Sequence, residues 1–363
     1  MDFALSQDQK LMQASLVGTL ERICPLSRVR AFAENGEDVA HDVWRGLTDL
    51  GVPGILIDEE HGGLGLTLLD AALVAETLGA HVAPAPFLGS AVLAPLALMA
   101  AGSTAQKAVW LPKFAAGEAL AAVAIGEAVG AARDGAAVAA SNCRLTGNAL
   151  FVIDAAGADI FIVADSSGGL HLVNSGANGL TDTALTTIDL TRRLGELRFD
   201  ATPAEPLDGA PSDAVLGRLR DAAWTILAAD MLGASQAMLD KAVAYAKERR
   251  QFGRLIGSFQ AVKHLCAEMA AELEPCRSLV WYAAHAFDAV PAEASLTAAH
   301  AKAHLSEVSR FVARTATEVH GGMGFTDLVG LHYWFKRVGL GRQLLGGPER
   351  VRQEAARMQA LVA

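Results

Sequence analysis

Apolar positions recur at helical spacing at the start of the chain, give way to short alternating runs in the middle, and regain helical spacing to the end. Ser6-Gln-Asp-Gln can cap a first helix with Leu11, Met12, Leu16, Leu20 and Ile23 on one face. His41 to Leu50 predicts a second, with Val43, Trp44, Leu47 and Leu50 facing one way, stopped by Gly51 and Pro53. A glycine-rich loop from Asp58 follows, then helices over Leu68 to Leu78 and Thr104 to Phe114. From Ala119 the period shortens. Leu120 to Ile125, Ala136 to Ala140, Cys143 to Gly147, Leu150 to Ile153, Ile160 to Val163, Gly169 to Val173, Leu185 to Leu190 and Leu194 to Phe199 read as strands. Beyond Asp213 the spacing is helical again. These changes divide the chain into a helical unit over 1–118, a β-rich unit over 119–206 and a helical unit over 207–363.

Within the last unit, Met238, Ala242, Tyr245 and Arg249 share a helix face that runs into Phe252-Gly253. A helix carrying Gln260, Val262 and Leu265 restarts after Ser258, which suits an N-cap. Arg249, Arg250 and Arg254 therefore cluster where a helix yields to a turn. Their planar forks suit a pyrophosphate; the alternative is a solvated basic helix end that complements the dipole. Ile226, Leu227, Met231, Leu232, Met238 and Leu239 crowd the preceding helix, and Gly339, Gly341, Gly346 and Gly347 mark a segment near the end. That density predicts an apolar face buried against a second subunit, the alternative being a single thick core.

Composition narrows the classes. Hydrophobic residues make up 52% but aromatics only 6%, which indicates a core of Ala, Leu and Val. The net charge of −10 offers nucleic acid no overall attraction, so an anionic cofactor needs a local basic cluster. Cys24, Cys143, Cys266 and Cys276 have no metal-ligand spacing and read as reduced thiols of a cytoplasmic protein, Cys266 and Cys276 in the core. The first residues lack a basic n-region, and Pro84, Pro86 and Pro95 interrupt the uncharged stretch from Ala80 to Gln106. That stretch reads as buried helix plus loop, not as a membrane span. No G-x-G-x-x-G stands at a strand-to-helix junction, so a dinucleotide would not be held in the Rossmann manner.

The run Arg249 to Gln260, R-x-Q-F-G-x-x-I-x-x-F-Q, resembles the C-terminal helical domain of flavin-dependent acyl-CoA dehydrogenases. Glu318 to Thr326, EVHGGMGFT, is similar to that family's Q-x-x-G-G-x-G segment. Trp110-Leu-Pro with Gly117-Glu118 resembles the end of its N-terminal domain, and the loop from Asp58 its P-E-E-x-G-G-x-G loop, with Asp58 in place of proline. The resemblance covers nearly the whole chain. It implies a mainly α fold with a central β-barrel-like domain and a C-terminal four-helix bundle. It also implies FAD, and α,β-desaturation of an acyl-CoA thioester by loss of an α-proton and a β-hydride.

That chemistry needs a carboxylate base. At the two places the family carries it, the chain has Gly346 and Ala223; the nearest acids are Asp230 and Glu349. The β-unit departs too. Ile125-Gly126-Glu127 and Phe151 to Asp154 replace the hydroxyls and tryptophan that hold the flavin in the family. Residues that reach a neighbour's flavin in the family are kept: Arg249, Gln251, Phe252, Gln260, Gly321 and Gly322, with Glu318 in place of the usual Gln. The pattern resembles the small, β-type subunits of heteromeric acyl-CoA dehydrogenases of the steroid side-chain type. It implies a second dehydrogenase-like subunit, an acyl-CoA substrate and a separate electron acceptor, with no role for nucleic acid or membrane. Two alternatives stand beside it: a self-sufficient homo-oligomeric dehydrogenase using Asp230 or Glu349, and a non-redox CoA-thioester binding or scaffold protein.

Overall fold

A computed structural model describes residues 4–131, 135–209 and 212–362. Met1 to Phe3, part of the N-terminal reading above, lie outside them. The first helical unit holds α1 (Gln7–Ile23), α2 (Leu26–Asn35), α3 (His41–Thr48), α4 (Leu68–Ala80), α5 (Ala94–Ala101) and α6 (Thr104–Ala115). Ser6 closes a capping box with Gln9, and Ser103 one with Gln106. Leu11 and Leu50, expected on buried faces, are exposed, because α1 and α3 turn Leu16, Leu20, Val43, Trp44 and Leu47 inward instead. Phe87 to Leu93 is helical, with a π-helical turn at Leu88–Leu93 leading directly into α5. Among the described residues no helix is long and apolar enough to cross a membrane.

The middle unit is one curled sheet of β1 (Ala121–Ala124), β2 (Ala137–Ser141), β3 (Arg144–Ile153), β4 (Ile160–Ala164), β5 (Leu170–Asn174), β6 (Leu180–Leu185), β7 (Leu194–Pro203) and β8 (Glu205–Leu207). Its order is β6-β7-β3-β1-β4-β5-β8, with β2 on β3; β1 and β4 are parallel and the other pairs antiparallel. Two corrections arise here. The runs 143–147 and 150–153 are one bulged strand, and the strand expected over 185–190 lies earlier, at Leu180–Leu185. The bulges explain the first: they interrupt the alternation without ending the pairing.

The last unit holds α7 (Ser212–Glu248), the short strands β9 (Arg250–Gln251) and β10 (Arg254–Leu255), α8 (Gln260–Ala289), α9 (Pro291–His320), α10 (Leu331–Gln343) and α11 (Pro348–Met358). α7 is its axis, packed by α4, α8, α9 and α10. Ile226, Leu227, Met231, Leu232, Met238 and Leu239 are all buried within this single chain. Their density is therefore the thick core, not an interface. Ser258 is not the cap of α8: Phe259 holds that position, and the Ser258 hydroxyl donates to Leu255 O at 2.7 Å. Cys276 is buried as expected, whereas Cys266 is only half-buried.

Two glycines allow α4 and α7 to cross closely. A Cβ on Gly79 would lie 2.0 Å from Asp230 O, and one on Gly233 would lie 1.7 Å from Glu76 O. We expect Gly233→Ala to destabilise the fold by about 1–3 kcal/mol or more through overpacking. Helix propensity alone would favour Ala by about 1 kcal/mol, so the sign of the change discriminates. A chemical-denaturation midpoint that is unchanged or raised would show that the crossing is looser than this.

Candidate functional site

Where α7 ends, the chain makes a two-residue hairpin. Arg250-Gln251 pairs with Arg254-Leu255, and the connecting residues both have positive φ, 53° at Phe252 and 76° at Gly253. Such a primed turn costs a non-glycine residue free energy. No burial offsets it, because Phe252 is 92% exposed; its ring meets Phe259 in a T-shaped arrangement at 6.1 Å between centroids. The strained turn projects an aromatic ring into solvent beside an open groove.

That groove, about 670 Å³, is lined by Tyr245, Arg249, Phe252, His320, Gly321 and Gly322 among others. Arg249 is exposed, and no ion pair or side-chain hydrogen bond engages it among the described residues. Arg254 instead lies over the Phe259 ring at 3.9 Å, and Gln251 donates to Arg250 O at 2.8 Å. The first turn of α8 closes the groove with Ala261 and Val262. No side chain caps this helix, so its opening N–H groups are free to meet an anion. Gly321 ends α9 at φ 58°, ψ −139°, a conformation open essentially to glycine, and a Cβ on Gly321 or Gly322 would meet nothing within 4 Å. The backbone there faces open space. Arg249, Gln251, Phe252, Gly321 and Gly322 thus come together. Gln260 is exposed at the start of α8, outside the groove lining. Glu318 points elsewhere, into a charged groove between α8 and α9 with Glu268, Glu272, Arg310 and Arg314.

The two base positions lie close together in the core. Ala223 is fully buried, and its neighbour Trp224 donates to Leu345 O at 2.9 Å, beside Gly346. Lys302 is buried under the same segment and donates to Gly341 O at 2.7 Å, Arg342 O at 3.0 Å and Gly346 O at 3.5 Å. Burial, with the charges of Arg342 and Arg192, pushes this ammonium down to about 7, while the α10 C-terminus favours its charge. The sequence reading missed Lys302; its only trace is one lysine among the alanines of α9.

Asp230 is not placed as a base. Its carboxylate takes Arg337 Nε at 3.0 Å and Nη2 at 2.7 Å, and Arg192 at 2.8 Å. Burial raises its pKa, but these two charges outweigh it and hold the group below the usual carboxylate range. Glu349 begins α11 at the surface and pairs with Arg342 at 3.1 Å. On the β-unit, Glu127 accepts Leu150 N at 2.8 Å and buried Asp154 accepts Gly89 N at 2.7 Å. Both acids bind the protein's own backbone. Phe151 has φ 53° and is partly exposed. Asp58, Glu60 and His61 converge within 4.8 Å at the surface, as solvated loop acids commonly do.

Comparison with known proteins agrees with this architecture. The sequence matches the family description "Acyl-CoA dehydrogenase, N-terminal domain" over residues 6–118 and "Acyl-CoA dehydrogenase, C-terminal domain" over 215–360. It is 32% identical to acyl-CoA dehydrogenase IpdE2 of Mycolicibacterium smegmatis, covering 99% of this chain and 100% of that relative. Among solved structures it is similar to a variant of the Tcur3481-Tcur3483 steroid ACAD (TM-score 0.88, 30% identity, 98% of each chain covered). It is also similar to the ChsE4-ChsE5 complex from Mycobacterium tuberculosis (TM-score 0.91, 26% identity, 100% of each chain covered).

Asp154 yields a pH test. Burial pushes its pKa up to about 6, against the Gly89 bond and the Arg192 and Arg337 charges, from 3.8 in an unfolded chain. The native state therefore holds this proton more tightly, and stability falls as pH rises from about 4 to 6. We expect Asp154→Asn, which can still accept from Gly89, to stabilise the protein at pH 7.5 by up to about 3 kcal/mol. The gain should shrink as pH falls towards about 4. Melting curves across this range check it; a variant less stable than wild type at pH 7.5 would refute the assignment.

Proposed function

The chain belongs to the acyl-CoA dehydrogenase family, and we propose that it is the flavin-completing subunit of a heteromeric enzyme that desaturates an acyl-CoA thioester. The observation carrying this reading is an asymmetry. The outward groove holds an unpaired Arg249, an uncapped helix start and exposed glycine backbone, while the inward positions expected to hold a flavin and a base hold Glu127, Asp154, Ala223 and Gly346.

A bound flavin dinucleotide would supply the hydride acceptor for the reaction. This chain's share is binding. The Arg249 fork meets a diphosphate, the first N–H groups of α8 and the backbone at Gly321-Gly322 approach it, and Phe252 covers an apolar part. The residues fit a diphosphate carried by another chain, since the groove opens outward and Phe252 and Phe325, 92% and 81% exposed, stand unburied at this end. Glu318, turned into the other groove, makes no contribution here. The partner supplies the base. The similarity to the steroid ACAD and to the ChsE4-ChsE5 complex supports a second dehydrogenase-like subunit and a bulky, ring-bearing acyl group. A self-sufficient enzyme is less well supported, because Asp230 is saturated by two guanidinium groups and Glu349 is at the surface.

Two outcomes test the reading. The chain purified alone should carry little flavin and turn over acyl-CoAs far below the roughly 10 per second of a median enzyme; flavin bound one per copy, with turnover near that rate, would favour the self-sufficient alternative. In the complex co-purified with a second dehydrogenase-like subunit, Arg249→Lys should lose flavin, because Lys cannot pair with a diphosphate through two parallel bonds. Arg250→Lys should retain it. The reverse pattern would move the phosphate ligand to Arg250.

A further inference from the structure

His320 forms part of the groove wall but has only half of its hydrogen bonding satisfied. It ends α9, is 4% exposed, and its ring stacks on Tyr245 with centroids 4.7 Å apart and planes 25° apart. Nδ1 lies 2.7 Å from Ala316 O. A carbonyl only accepts, so Nδ1 carries the proton. Burial, assisted by the nearby Lys241 charge, lowers the ring's pKa, which keeps it neutral near pH 7. Nε2 is then a lone-pair acceptor, and it makes no hydrogen bond among the described residues. A neutral acceptor repels a phosphate oxygen and needs a donor.

We propose that His320 Nε2 accepts a hydrogen bond from a hydroxyl or amino group of a nucleoside diphosphate seated in this groove, and so distinguishes the nucleoside end from the diphosphate end at Arg249. This rests on the proposed completion of a dinucleotide site and adds a residue that orients the ligand. Arg249 attracts charge, and His320 rejects it and selects a donor. The stack on Tyr245 holds the ring, while the Ala316 bond fixes its tautomer.

The test uses the full chain, with ADP and inorganic pyrophosphate as probes in titration calorimetry. His320→Phe keeps a ring against Tyr245 and removes the acceptor. It should weaken ADP binding by about five- to tenfold and leave pyrophosphate within about twofold. Arg249→Lys should weaken both. In the wild type, the His320 Nε2 nitrogen resonance should shift with ADP and stay in place with pyrophosphate, a readout that needs no variant to fold. An unmoved resonance, equal loss of both probes in His320→Phe, or no ADP binding at about 5 mM overturns the proposal. Loss of ADP in Arg249→Lys alone sinks only the role of His320; indifference of both variants sinks the dinucleotide reading as well.

Discussion

The carboxylate of Asp230 is the constraint on which the core depends. It stands on α7, receives Arg337 from α10 and Arg192 from the end of the sheet, and is 4% exposed. Arg337 also donates to Ala83 O at 3.2 Å and Thr191 Oγ1 at 2.9 Å, so one guanidinium touches all three units. A buried ion pair of this kind is seldom a large net source of stability, yet losing one partner leaves an uncompensated charge worth about 3–5 kcal/mol. Its value here is positional, since Arg337 bonds Ala83, Thr191 and Asp230 at once and so ties one residue from each unit to the same point.

Around that point the interior is closed. Trp224 and Lys302 tie down the segment from Leu344 to Gly347, and the Gly79–Gly233 crossing brings α4 onto α7. Buried Asp154 likewise binds the protein's own backbone, at Gly89. The other end of α7 is the opposite. There a strained hairpin, a free guanidinium, an uncapped helix and a half-satisfied histidine face an open groove. Unmet bonding capacity at a surface is where a ligand gains most, because nothing internal has to be broken to bind it.

Several elements were legible before any fold was known. Ser6 with Gln9 three residues on marked a helix start, since a capping box is a local exchange of bonds. The change of period near Ala119 marked the sheet, and Arg249 to Gly253 marked the turn that builds the groove. The strand limits around 143–153 were misplaced, because bulges break alternation without breaking pairing, and the strand expected over 185–190 ends at Leu185.

Local spacing thus determined the order of helix, sheet and helix, and where a basic turn would stand. Tertiary structure alone decided which polar side chains were already spoken for. From sequence Asp230 could be a substitute base or an acid satisfied between helices, and Arg337, 107 residues later, decides for the second by taking its oxygens. The crowded leucines and methionines of α7 read as an interface until α4, α8, α9 and α10 covered them. Glu318 and His320 are two residues apart in one motif, yet face different grooves, because successive helical positions turn by about 100°. Periodicity reports which face a residue occupies, and only packing reports what that face meets.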